Sequence, residues 1–133
     1  MKKSFFQMKG FPIIANLNFE ISNKFNFSEN SLLEVEIKIN TEVFSKKANE
    51  ANLKLDVEIF PDKTKNNPLY LKVTSISSFV WAEGLDENTV ESLLKINAPA
   101  IMMSYLRPII SNITTYSGQP PLIIPLIDFT NNK

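Results

Sequence analysis

The stretch from Asn97 to Phe129, NAPAIMMSYLRPIISNITTYSGQPPLIIPLIDF, constrains this chain more than any other. Its apolar residues recur as Ile101, Met102, Tyr105, Leu106, Ile109, Ile110 and Ile113, the helical period. Ser104, Arg107, Ser111 and Thr115 fill the narrow remainder. Asn97 reads as an N-cap, with Pro99 in the first turn, where a missing N–H costs little. Gly118 stands where a left-handed residue ends a helix, and Pro120-Pro121 forbids continuation. Pro108 lies inside, so a kink or a broken hydrogen bond is expected there. The apolar sector is too wide for one contact, so the helix has surface to spare.

Upstream, the period changes to two. Ile13, Ala15, Leu17, Phe19 and Ile21 alternate with polar residues, after a start at residues 1–10 expected to fray. Leu33, Val35, Ile37 and Ile39 oppose Glu34, Glu36, Lys38 and Asn40, and Lys46 to Asn52 reads as a hairpin connection. Leu53, Leu55, Val57 and Ile59 form a third alternation, and Pro61 to Pro68 a polar loop. The fourth strand spans about Leu69 to Trp81; its phase blurs after Ser75, which suggests a bulge near Ser77-Ser78. Asp86 or Asn88 is placed to cap a short helix from about Glu87 to Lys95. The expected fold is α+β: a four-stranded antiparallel meander sheet with one long C-terminal helix, plus a short preceding one, packed on one face.

The 133 residues suit one domain, 1–133. With 14 basic and 14 acidic residues the net charge is zero, which gives no electrostatic case for nucleic acid or an anionic membrane. There is no cysteine and no histidine, so disulfides, Cys/His metal sites and histidine-based triads are excluded. The glycines are Gly10, Gly84 and Gly118, which form no phosphate loop; no cofactor or metal is expected. The N-terminus has no apolar signal core, and no run approaches a membrane span, so a soluble cytoplasmic protein is expected. Arg107, the sole arginine, is expected to satisfy a buried carboxylate or backbone carbonyls.

Asn97, Pro99, Tyr105, Arg107, Gly118, Pro120, Pro121, Leu122, Pro125 and Phe129 fall in one order. That order resembles the SecB family of protein-export chaperones. Leu17 to Ile21 and Leu33 to Ile39 match its first two strands, and Phe79, Ala82, Gly84 and Leu85 its turn into the helical half. The resemblance implies a tetramer, a dimer of dimers with helices between two sheets. It also implies apolar grooves that hold unfolded or preprotein clients without nucleotide or metal. Ile37 and Ile39 match groove positions; Trp81, Met102 and Met103 are added as client contacts because deformable methionine suits promiscuous surfaces. Ile101, Tyr105, Leu106, Ile109 and Ile113 are the expected oligomer interface.

Acidic side chains on the exposed sheet face of export chaperones dock the basic zinc-binding tail of the motor ATPase SecA. Glu20 matches one such position, but Asn16 and Lys72 depart from the pattern, so SecA binding is expected to be weak or absent. The chain also stops at Lys133, short of a further helix in the export chaperones, which suggests a shortened member. Competing expectations are a chaperone dedicated to one partner, such as an antitoxin, and a small-ligand module. An enzyme ranks last, since carboxylates such as Asp56 and Glu58 lie on a solvated strand face.

Overall fold

The computed structural model describes residues 5–22, 35–63, 67–116, 124 and 127–131. Four strands, β1 (Phe6–Ile21), β2 (Ile37–Lys47), β3 (Glu50–Ile59) and β4 (Leu69–Trp81), precede two helices, α1 (Glu87–Ser92) and α2 (Ala98–Tyr116). A π-type turn at Leu93–Asn97 joins the helices, and a 3-10 turn at Phe129–Asn131 follows. The architecture is thus the expected α+β, with an antiparallel sheet and the helix on one face.

The strand order is β1-β4-β3-β2, which corrects the simple meander. β2, β3 and β4 follow one another as hairpins, whereas β1 lies beside β4. The chain between Ser22 and Glu36 is longer than a hairpin turn, so nothing forces β1 and β2 to be neighbours. Ala48 and Asn49 alone make the β2–β3 turn, with Asn49 at φ 64°, a conformation asparagine tolerates.

β3 and β4 carry the core. Ala51, Leu53, Leu55, Val57 and Ile59 are buried on one face, beside Leu69, Leu71, Val73, Phe79 and Trp81. Their pairing is unbroken from Glu50↔Val80 to Ile59↔Leu71, so the bulge expected near Ser77-Ser78 is absent from this pairing. The irregularity lies on β1 instead, between Lys9 and Ile13 and again between Ile14 and Asn16. The phase of β4 blurs for another reason: Ser75 and Ser77 face the core while Ile76 faces out.

β1 also begins earlier than its alternation suggests. Phe6 pairs with Trp81 and stacks on Phe79 at 5.3 Å and on Trp81 at 6.1 Å. Of the residues expected to fray, Phe6, Gln7, Met8 and Lys9 therefore hold the far end of the sheet. Leu17, Phe19 and Ile21 pair with Val73, Leu71 and Leu69, the core-facing side, as expected. Ile13 does not share that face, because the bulge between Ile14 and Asn16 inverts the alternation.

The helix runs through the boundary expected at Asn97. Asp86 takes the N-cap position of α1, and the Ala98 N–H bonds back to the Leu93 carbonyl, five residues earlier. Asn97 is therefore a helical residue and caps nothing. The wide turn falls just before Pro99, which has no N–H and whose ring clashes with a carbonyl four positions back; widening the turn relieves both conflicts. α2 also continues through Pro108, which is exposed, so the Ser104 carbonyl it leaves without its helical donor lies on the solvent side. Gly118, Pro120, Pro121, Leu122 and Pro125 lie outside the described residues.

Candidate functional site: a groove and a two-striped helix

One stripe of α2 builds the core. Ala98, Met102, Leu106, Ile110 and Thr114, each four residues after the last, are all buried, with Met103 beside them. The residue preceding each of four of these makes a second stripe: Ile101, Tyr105, Ile109 and Ile113. Ile101, Ile109 and Ile113 are half-buried, and Tyr105 is 40% exposed. The helix thus presents one fully buried apolar row to its own sheet and a second, partly exposed row beside it, of which Ile101 and Ile109 still pack against the core. Leu106 belongs to the first row, so the residues grouped as an interface from sequence divide between two surfaces.

A groove of about 370 Å³ opens between the sheet and the start of the helical half, lined by Thr41, Val43, Lys46, Leu53, Glu91, Leu94 and Lys95. Val43 of β2 is 43% exposed, an aliphatic side chain left half open at a sheet edge. Leu53 and Leu94 form its apolar base, both buried from bulk solvent. Lys46 bonds to Glu87 and thereby links β2 to the first turn of α1. Further along β2, Ile37 and Ile39 lie on the same face as Val43, half-buried against the core. The groove residues Thr41, Val43 and Leu94 were missed from sequence, although continuing the β2 alternation past Ile39 leads to the first two.

Trp81, Met102 and Met103 lie elsewhere. They are 6%, 1% and 1% exposed, inside the core between sheet and helix, and line no part of this groove. Their packing role is the ordinary one for such residues.

Asn16, Glu20 and Lys72 come together on the opposite sheet face, on the neighbouring strands β1 and β4. Glu20 is engaged by Lys63 at 3.0 Å. Lys63 also lies over the Tyr70 ring, 4.2 Å from its centroid, and the Tyr70 hydroxyl donates to Glu58 at 3.0 Å. Burial, and then the bond to the Glu58 carboxylate, raise the Tyr70 pKa above its ordinary value of 10.0. Lys72 sits between Asn18 and Glu58 on its two neighbouring strands. At this end of the face Lys63 and Lys72 interrupt the acids Glu20, Glu58 and Asp56, which among the described residues form no unbroken acidic patch.

Arg107 performs the structural role expected of it: its Nη1 donates to the Ile124 carbonyl at 2.5 Å, holding the returning chain against α2. Among the described residues no group of His, Cys, Asp or Glu is arranged to hold a metal ion. Among them, too, no helix is long and apolar enough to cross a membrane.

Comparison with known proteins places this arrangement. A protein-export protein SecB of Anaplasma phagocytophilum is 31% identical over 81 residues, 61% of this chain and 51% of that protein. The SecB of Dichelobacter nodosus is 29% identical over 122 residues, covering 87% of this chain and 76% of its own length. The Anaplasma match thus spans about half of that relative's length. Among solved structures, a SecB-like chaperone of Mycobacterium tuberculosis in complex with an antitoxin peptide superposes with a TM-score of 0.68 at 11% identity, over 92% of this chain and 88% of that one. The sequence model of the family described as "Preprotein translocase subunit SecB" matches residues 5–131, and with the four-stranded sheet and long helix in place, the chain belongs to the SecB family.

Proposed function

We propose that the protein is an ATP-independent holdase of the cytoplasm, holding unfolded or preprotein clients along the β2 groove, with Ile37, Ile39 and Val43 as contacts. The observation that carries this reading is the groove itself: an open apolar cleft at a sheet edge, in a chain of the SecB family. Unfolded polypeptide exposes aliphatic and aromatic side chains, and their burial gains about 25 cal/mol per Å² of apolar surface. Many such contacts along a wrapped client give strong retention with little sequence preference. No chemical step is needed, and the role is not enzymatic.

The second apolar row of α2 supports assembly. Ile101, Tyr105, Ile109 and Ile113 would be covered if helices of several copies packed between their sheets, which favours a homotetramer built as a dimer of dimers. Docking to SecA through Asn16, Glu20 and Lys72 is the least supported part, because Glu20 is already paired with Lys63 and Lys72 carries the opposite charge.

A second reading is a chaperone dedicated to one partner. The structural relative from Mycobacterium tuberculosis, bound to an antitoxin peptide, favours it. Suppression of aggregation of a chemically unfolded client separates the two: a general holdase protects unrelated clients, whereas a dedicated one protects its partner alone.

A further inference from the structure

The helical wall of the groove contains an unmet backbone acceptor. In the wide turn at Leu93–Asn97 the Ala98 N–H donates to the Leu93 carbonyl, five residues back. In a regular α-helix that N–H would serve Leu94, four residues back. The next helical donor within reach of the Leu94 carbonyl stands at position 99, and Pro99 has no N–H. Leu94 is thus passed over by both. Lys95 loses its α-helical donor to the same proline. Among the described residues no side chain donates to either carbonyl.

Leu94 and Lys95 are also groove residues, facing Thr41, Val43 and Leu53 across the cleft. The coincidence has a structural cause. Val90, Leu94 and Ala98, four residues apart, all belong to the core. An α-helix advances about 100° per residue, so such a row drifts by about 40° at each step. The wide turn takes up about one extra residue, which corrects the drift and keeps Val90 and Leu94 in the core. Apolar burial therefore holds the turn open, and Pro99 keeps its hydrogen-bond ladder from closing. An acceptor without a donor is costly once it is shut away from water, and wide turns of this kind gather at functional sites.

We propose that the Leu94 carbonyl accepts a hydrogen bond from a backbone N–H of the client. The inference rests on the β2 groove being the client site. An unfolded chain carries a backbone N–H at every residue except proline, so the bond adds retention without demanding any particular side chain. It also complements the apolar base. The Leu53 and Leu94 side chains take an aliphatic group, and the Leu94 carbonyl takes the N–H beside it. A folded protein, whose N–H groups are already paired, offers no such donor. The groove thereby selects for unfolded chain and not for apolar surface alone.

The test uses the full chain and a capped, fluorescent Ser/Ala peptide of about twelve residues with one central Leu-Ala-Leu. Each central amide is replaced in turn by an ester, which keeps the shape and removes the N–H. Anisotropy is expected to show saturable binding of the parent peptide, lost in Val43→Asp, and about tenfold weaker binding of one ester. Pro99→Ala supplies Leu94 with an N–H from its own helix. This variant is expected to bind the parent about tenfold more weakly and not to distinguish that ester from it. Circular dichroism and urea denaturation are expected to show a fold at least as stable as the wild type. A purely structural role for Pro99 would instead weaken parent and ester alike and keep the gap between them. Equal binding of every ester by the wild type overturns the inference and leaves the groove as the client site. An ester penalty that persists in Pro99→Ala assigns the bond to another acceptor and overturns it too. No binding of the parent peptide overturns the groove reading and this inference with it.

Discussion

Tyr105 and Leu106 are consecutive on α2 and lie in opposite environments, Tyr105 40% exposed and Leu106 fully buried. The boundary between the helix's two apolar rows runs between them. Substitutions on the two rows therefore have different expected outcomes. Leu106→Ala removes packing beneath the helix and is expected to destabilise the fold by about 2–5 kcal/mol. Ile109→Asp puts a charge on the second row and is expected to dissociate the assembly or unfold the chain, because Ile109 also packs against the core and an unpaired charge would be buried in an apolar contact. Chemical denaturation reads the first effect and light scattering the second. A wild type that is monomeric at tens of micromolar would remove the case for assembly through this row.

The contact between Arg107 and Ile124 predicts a local effect. Arg107→Ala deletes a charge-assisted hydrogen bond to a backbone carbonyl, at an expected cost of about 1–3 kcal/mol. Limited proteolysis is expected to cut the segment around Ile124 faster in the variant, with the sheet unchanged. Equal cleavage of the two proteins would show that the tether contributes nothing.

Ser75 and Ser77 are 0% and 3% exposed, and neither hydroxyl has a hydrogen-bond partner among the described residues. A buried, unsatisfied hydroxyl carries a desolvation cost of about 1–3 kcal/mol. Ser75→Ala is therefore expected to leave stability unchanged or raise it, by up to about 1 kcal/mol after the lower strand preference of alanine. A clear loss in urea denaturation would mean that the hydroxyl is satisfied in solution.

The contrast between β4 and β1 shows what was legible in the sequence. Alternation located β3 and β4, but it set β2 too early, since β2 runs Ile37–Lys47 and the connection expected over Lys46 to Asn52 shrinks to Ala48 and Asn49. It misjudged β1, where the irregularity between Ile14 and Asn16 inverts the phase, and it discounted Phe6, whose stacking on Phe79 depends on a strand far away in sequence. The period of α2 was equally plain. Its start was not, since Asn97 and Pro99 make a good terminus locally and only the π-type turn lets the helix continue. Among the candidate client contacts, none lines the groove itself: Ile37 and Ile39 share a strand face with groove-lining Val43 and are half-buried, whereas Trp81 and the two methionines are core. Their residue types suit either role, and burial alone distinguishes them.

Tyr70 gives a pH prediction. Its pKa is raised in the folded protein, so the unfolded tyrosine ionises first as pH rises. The stabilisation is therefore complete below about pH 10 and is lost as pH climbs through the raised folded value. Tyr70→Phe is expected to lose this contribution at neutral pH and to flatten the alkaline limb of stability against pH. An identical alkaline limb in the variant would contradict this.

On the outer face of the sheet, calorimetry with the cognate SecA tail is expected to show weak or no binding. Asn16→Asp with Lys72→Glu is expected to improve affinity by about tenfold, on the order of 1–2 kcal/mol. Tight wild-type binding that ignores the double change would place any SecA contact elsewhere.

The most direct test of the account is aggregation of a chemically unfolded client, followed by light scattering without nucleotide, with wild type and with Val43→Asp. Val43 lies half open in the groove, so the variant is expected to keep fold and assembly while losing client contact. The account predicts that wild type suppresses aggregation at near-stoichiometric ratio and that Val43→Asp does so poorly. Unchanged aggregation at several-fold excess of wild type, or full protection by Val43→Asp, would contradict it.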